Sequence, residues 1–181
     1  MGGDFLTGGE GIDALDYTTS NKGVNVKLNT GISSGGHAEG DTISNFENII
    51  GSNFADSLTG DVGDNSLFGL DDSDILSGDA GNDTLFGGQG NDVTSGNEGV
   101  DVFVLESNSG RITMRDYEDN TDKIGLSGDL TFSDLRIVNN ASGNRVIIRD
   151  LSNSNSVIGA VFDNDNVLDA GDFTESDFVA V

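Results

Sequence analysis

Residues 51–104 divide into six consecutive nine-residue blocks: GSNFADSLT, GDVGDNSLF, GLDDSDILS, GDAGNDTLF, GGQGNDVTS and GNEGVDVFV. Each opens with Gly. Each has Asp or Asn at its sixth place: Asp56, Asn65, Asp74, Asp83, Asp92 and Asp101. Five carry a large apolar residue at the eighth: Leu58, Leu67, Leu76, Leu85 and Phe103. The first six residues of a block are turn formers, and Gly78 and Gly81 allow a positive φ without a Cβ clash. The last three read as a minimal strand with the eighth residue pointing inward. Such a block buries nothing alone, so successive blocks must stack, two to a coil, with block n over block n+2.

Bent Gly-rich turns aim carbonyl oxygens inward, and the sixth-place Asp adds a carboxylate. Stacked turns then offer about six hard oxygens, a set that suits Ca²⁺ and not Zn²⁺ or Cu²⁺. The pattern resembles the repeats-in-toxin (RTX) nonapeptide family, G-G-x-G-x-D-x-U-x with U large and apolar. The match is closest at Gly81/Asp83/Leu85, Gly90/Asp92 and Gly99/Asp101/Phe103, and Gly8 to Asp16 fits as well. The resemblance implies an all-β fold, a right-handed parallel β-roll with several Ca²⁺, about 4–8, between its turns. The candidate ligands are Gly60, Val62, Gly63 and Asn65; Gly69, Asp71, Asp72 and Asp74; Gly78, Ala80, Gly81 and Asp83; Gly87, Gln89, Gly90 and Asp92; and Gly96, Glu98, Gly99 and Asp101. Gly9, Gly11 and Asp13 join them from the earlier stretch, Asp56 from the first block, and Asp116 and Asp122 from beyond the last. Phe54 and Asp72 replace the fourth-place Gly, Asn65 replaces Asp, and Thr94 replaces the apolar residue, so the sites touching Phe54, Asn65 and Asp72 are expected to be weaker. Better-ordered Ca²⁺ is expected around Asp83 and Asp101 than around Asp56.

The chain of 181 residues carries 32 acidic and 8 basic side chains, a net charge of −24. That charge repels nucleic acid and anionic membranes. It also opposes compaction unless cations neutralise it; six bound Ca²⁺ would halve it. The expectation is a chain largely unfolded without Ca²⁺ and folded at the millimolar levels found outside cells. There is no Cys to form a disulfide and no Pro. No apolar run approaches a membrane span of about 20 residues. Met1-Gly2-Gly3-Asp4 has neither the basic start nor the apolar core of a signal peptide, and it opens inside a block, which reads as a fragment of a longer protein.

Four regions are expected. Residues 1–16 are N-terminal repeats. Residues 17–50 are an irregular β continuation of the roll, with Val24, Val26 and Leu28 alternating as in a strand and Glu47 and Ile49 falling at sixth and eighth places. Residues 51–104 are the six-block roll. Residues 105–181 form a cap, because a solenoid end exposes core and unpaired edges. Asp116 to Ser127 resembles the D-[FY]-x-x-x-x-D-x-I-x-L-S segment that closes many RTX rolls. Residues 135–138, 144–149 and 156–162 read as strands of antiparallel hairpins, with turns at 139–143 and 151–155. The last residues, Asp177-Phe178-Val179-Ala180-Val181, resemble the export signal of type I secretion substrates, implying a secreted, extracellular or cell-surface location. Ninth places split by coil side: Thr59, Ser77 and Ser95 make one outer face polar, while Phe68, Phe86 and Val104 form an outward apolar ladder that needs a cover.

Enzyme signals are weak. Gly31-Ile32-Ser33-Ser34-Gly35 matches G-x-S-x-G with His37 nearby, but the setting is a Gly- and Ser-rich turn with no following helix. Asp163-Asn164-Asp165 starts like an EF-hand, yet Val167 and Leu168 occupy the next ligand and Gly places. Asn82-Asp83-Thr84 and Asn140-Ala141-Ser142 match the glycosylation sequon by composition. The reading is therefore a nonenzymatic Ca²⁺ module. Its partners would be calcium ions, the type I secretion machinery during export, and an upstream catalytic or adhesive module. The alternatives are a noncatalytic accessory module of a secreted protease, lipase or alginate epimerase, and part of an adhesion protein.

Overall fold

The computed structural model describes residues 3–140, 145–162 and 170–181. The EF-hand-like start at 163–165 and residues 141–143 of the turn, with the last two residues of the second sequon, lie outside these. Helix among the described residues is confined to three-residue 3₁₀ turns. The strands form two sheets. The larger holds β1 (Phe5–Thr7), β3 (Asn25–Lys27), β4 (Ile32–Ser34), β5 (Thr42–Ser44), β7 (Ser57–Thr59), β9 (Ile75–Ala80), β11 (Asn91–Glu98), β13 (Arg111–Met114), β15 (Leu135–Asn139), β16 (Arg145–Asp150) and β17 (Ser156–Phe162). The smaller holds β2 (Ala14–Asp16), β6 (Asn48–Ile50), β8 (Ser66–Leu70), β10 (Thr84–Gly88), β12 (Val102–Glu106), β14 (Lys123–Ser127) and β18 (Phe178–Ala180). Their spatial orders are β1-β5-β4-β3-β7-β9-β11-β13-β17-β16-β15 and β18-β14-β12-β10-β8-β6-β2.

The nine-residue beat becomes a parallel β-roll. Consecutive blocks alternate between the sheets, and each pairs in parallel with the block two places on: Leu67 opposite Leu85, Leu58 opposite Leu76. Eighth-place residues stack into two inner ladders. One runs Leu15, Ile49, Leu67, Leu85, Phe103, Ile124 and Phe178. The other runs Val26, Leu58, Leu76, Thr94, Met114 and Val161. All of them are buried. Thr94 is the misfit: it is fully buried and its hydroxyl has no hydrogen-bond partner. Replacing a lone buried hydroxyl with an isosteric methyl removes an unmet desolvation cost of about 1 kcal/mol. Thr94→Val should therefore raise the thermal midpoint of the Ca²⁺-loaded protein; a lower midpoint contradicts this account of the core.

The pairing does not stop where the sequence period stops. β13 and β14 continue the two sheets in parallel register on β11 and β12. The offset grows from 18 residues between Asp83 and Asp101 to 21 between Asp101 and Asp122, because longer bends were inserted while the strand register was kept. The three C-terminal strands β15, β16 and β17 pair antiparallel, as the turn signals suggest. β17 joins β13 in parallel, so the meander continues the larger sheet beyond the last coil of the roll. The end of the core is plugged by aromatic contacts, Phe103 to Tyr117 at 6.2 Å, Tyr117 to Phe173 at 5.4 Å and Phe132 to Phe178 at 4.9 Å between ring centres.

Residues 17–50 depart further from a plain coil. Gly31, at φ 67°, ends a 3₁₀ turn and reverses the chain, so β4 runs antiparallel to both β3 and β5. β6 then re-enters the smaller sheet between β2 and β8. On that sheet's outer face Ile50, Phe68, Phe86, Val104, Gly125 and Val179 align. Phe68 and Phe86 stack at 4.5 Å with ring planes 11° apart. Val104 is buried, and Val181 reaches the space that a Gly125 side chain would fill. The chain's own C-terminus thus covers one end of the apolar ladder.

Candidate metal centre

The bends that join the strands stack into two columns, one along each edge of the roll. Sixth-place residues form the spine of both. The Asp56 N–H donates to Asp74 Oδ1 at 2.7 Å and the Asp74 N–H to Asp92 Oδ1 at 3.0 Å. On the other edge Asn65, Asp83 and Asp101 donate in turn to Asp83, Asp101 and Asp122 at 2.7, 2.9 and 3.0 Å. Each carboxylate therefore spends Oδ1 on the coil before it. Its Oδ2 is a different matter. In Asp74, Asp83, Asp92 and Asp101, all essentially without solvent exposure, Oδ2 is buried and has no hydrogen-bond donor. Asp13 Oδ2 is orphaned in the same way.

The first-place glycines make room for those oxygens. A Cβ on Gly69, Gly78, Gly87 or Gly96 would collide with Oδ2 of Asp74, Asp83, Asp92 or Asp101 in the same block. At Gly69 and Gly78 the same point is approached by the carbonyl oxygens of Gly87 and Gly96 from the next coil, 2.6 and 2.8 Å from that missing Cβ. Fourth-place glycines serve the stacking itself: a Cβ on Gly81, Gly90, Gly99 or Gly110 would meet the backbone oxygen of Gly63, Asp72, Gly81 or Gly90 beneath it. Asp72 fills its fourth place by adopting φ 68° without glycine.

Burial sets the electrostatics. Desolvation, opposed in part by the backbone N–H donor, pushes the Asp74 carboxyl up to about 8 and Asp83 up to about 7. It takes Asp92 and Asp122 up to about 6 and raises Asp101. Neighbouring carboxylates add to the rise at Asp74, Asp83, Asp101 and Asp122. A buried carboxylate with one oxygen unpaired and an oxygen-rich surround is the environment a hard divalent cation satisfies. Among the described residues no three His, Cys, Asp or Glu side chains converge on one point. At the Asp74 and Asp83 bends the donor set is thus one carboxylate with a backbone carbonyl from the next coil, which suits Ca²⁺ and gives soft or borderline metals no thiolate or imidazole.

Other candidates are placed differently. Both oxygens of Asp116 accept backbone N–H groups, from Gly96 at 3.1 Å and Asn97 at 3.0 Å, and those of Asp122 accept from Asp101 and Glu118. These two carboxylates terminate the columns. The third-place residues Val62, Asp71, Gln89 and Glu98 lie exposed at the bend tips with Ala80 half-buried beside them, and the Glu98 carbonyl is taken by the Gly81 N–H at 2.9 Å. Gly9 and Gly11 have positive φ and open space around them; it is Gly8 that packs against Asp13. Asp13 donates its N–H to Glu47 Oε2 at 2.8 Å, so Glu47 holds the sixth place its spacing predicts. Ser33, the centre of G-x-S-x-G, is buried and its hydroxyl donates to the Asp41 carbonyl at 3.2 Å.

One feature escaped the sequence pattern. Second-place residues take positive φ: Leu70 82°, Asp79 84°, Gly88 85° and Asn97 71°. Gly88 and Asn97 are the residue types that signal it. Leu70 is strained there by about 1–2 kcal/mol. Leu70→Gly should relieve that strain, and denaturant unfolding in Ca²⁺ should show a net gain despite the lost half-buried side chain; a loss contradicts it.

Residues 44–76 and 68–103 match the RTX calcium-binding nonapeptide repeat family, four copies. This segment carries repeats of that family. Among solved structures, the fold matches the solution structure of the AlgE6R3 subunit of the Azotobacter vinelandii mannuronan C5-epimerase. The identity is 23 % and the TM-score 0.51, over 69 % of this chain and 78 % of that one. No curated protein matches.

Proposed function

We propose that this chain is a Ca²⁺-loaded β-roll module of a secreted bacterial protein, exported by a type I route and folded on meeting extracellular Ca²⁺. The observation that carries the reading is the set of orphaned, buried Oδ2 atoms on Asp74, Asp83, Asp92 and Asp101. In the absence of a cation the stack confines carboxylates that repel one another and whose Oδ2 lacks a donor; a bound cation supplies the missing charge. The ligands would be those carboxylates and the first-place glycine carbonyls facing them. The net charge of −24 keeps the chain extended where Ca²⁺ is scarce, which suits passage through a secretion channel. A second reading makes the chain a noncatalytic accessory module of a secreted enzyme. The roll it shares with the epimerase subunit supports that reading at the level of fold. Equilibrium Ca²⁺ binding to the metal-free chain tests the proposal. Several ions should bind per chain, and Mg²⁺ at the same concentration should not replace them, because it demands a smaller octahedral cage. A chain that takes up no Ca²⁺, or Mg²⁺ equally well, overturns it.

A further inference from the structure

The sequence marks the bends of Phe54 and Asn65 as departures from the nonapeptide pattern, and in the structure both are closed by the protein's own hydrogen bonds. At Asp56, Oδ2 accepts the Ser52 N–H at 2.5 Å, while Oδ1 accepts the Ser52 hydroxyl at 2.9 Å and the Val24 N–H at 2.7 Å. Ser52 is fully buried, and its hydroxyl oxygen accepts the Phe54 N–H at 3.2 Å, so one side chain ties the whole bend. At Asn65 the amide replaces a carboxylate: Oδ1 accepts the Asp61 N–H at 2.8 Å and Nδ2 donates to the Glu47 carbonyl at 2.8 Å. That carbonyl, one coil back, now faces an N–H. The next four bends, around Asp74, Asp83, Asp92 and Asp101, have no such partner on Oδ2.

Resting on the Ca²⁺ reading above, we infer that residues 51–68 form an ion-independent lock spanning both edges of the roll, in which Ser52 and the Asn65 amide do the work of a cation, and that within residues 51–104 the Ca²⁺ demand lies in the bends of Asp74, Asp83, Asp92 and Asp101. The two closed bends are consecutive in sequence, one in each column, so together they make one complete coil. They sit between the antiparallel excursion of residues 25–34 and the ion-requiring coils. A hydroxyl and an amide are neutral donors. They satisfy carbonyl or carboxylate oxygens while adding no positive charge, and they occupy space a cation would need. The departures from the nonapeptide pattern at Ser52, Phe54 and Asn65 thus form a substitute for a cation, concentrated in one coil.

The test counts bound Ca²⁺ by equilibrium dialysis on the full chain. Asp56→Asn should leave the count at the wild-type value, while Asp83→Asn and Asp92→Asn should each lower it. Asn65→Asp, which restores a carboxylate, should raise it by one. An Asp56→Asn chain that loses an ion overturns this inference alone, provided the wild type binds Ca²⁺. A wild type that binds none overturns this inference together with the functional reading. If Asp56→Asn fails to fold, crystals of the wild type grown in Ca²⁺ decide. Ion density is expected against Oδ2 of Asp83 and Asp92 and absent from Asp56; an ion coordinated by Asp56 contradicts the lock.

Discussion

The Ca²⁺ affinity of the folded, metal-free roll will fall by roughly 100-fold between pH 7.5 and pH 5, because each ion must displace protons from buried carboxyls before it can bind. The effect follows from where the side chains sit. Burial holds Asp74 up to about 8 and Asp83 up to about 7, so in the metal-free fold both are largely protonated at pH 5. Calcium requires the ionised forms. Binding near pH 6.5 should release protons, which calorimetry in buffers of different ionisation enthalpy will count. The metal-free fold should respond in the opposite sense. Its raised carboxyls make it most stable below the ordinary Asp value of 3.8, and that stability is lost as pH rises through about 6 to 8. Acid should thus favour structure without Ca²⁺ and weaken it with Ca²⁺. An affinity that is flat from pH 7.5 to 5 would contradict the burial of unpaired carboxylates in the bends.

Gly99→Ala will destabilise the roll by roughly 3–5 kcal/mol, in the range reserved for backbone obstruction and buried strain. Gly99 has φ 140°, and a Cβ there would strike the Gly81 carbonyl oxygen on the coil beneath. Neither group can turn aside, since the Gly81 N–H is itself tied to the Glu98 carbonyl between the same two coils. Gly11 supplies the control: its φ is 130°, close to that of Gly99, but a Cβ there meets nothing within 4 Å. Gly11→Ala should show only the conformational term, about 1–3 kcal/mol. The difference between the two in denaturant unfolding isolates the contact between stacked coils. Equal losses would mean that the fourth-place glycines serve backbone conformation alone.

The parts of this structure that were legible in the sequence are those where one residue type does one job at a fixed interval. Leu67, Leu85 and Phe103 recur every nine-residue pair because a parallel stack puts the same place of alternate blocks in contact, and the Asp column follows from the same arithmetic. The roll beyond Val104 was hidden because longer bends break the count, although Ile124 and Phe178 still land on the inner ladder. The reversal at Gly31 was hidden because three-residue strands carry too little pattern to reveal their direction. At the site, sixth-place acids announced themselves. The fourth-place residues ranked Asp83 above Asp56, but not for the physical reason found: the Ser52 N–H closes Asp56 Oδ2, whereas Asp79 takes φ 84° and Asp83 Oδ2 has no donor. Positive φ at Leu70 could not be read from a leucine.

The central claim is that cations hold the layered coils together through the unpaired Asp oxygens. Far-UV circular dichroism of the full chain at pH 7.5, during Ca²⁺ titration and reversal with EDTA, tests it most directly. The account predicts a large, cooperative and reversible gain of β signal on adding Ca²⁺. Spectra that are the same with Ca²⁺ and with chelator would contradict it.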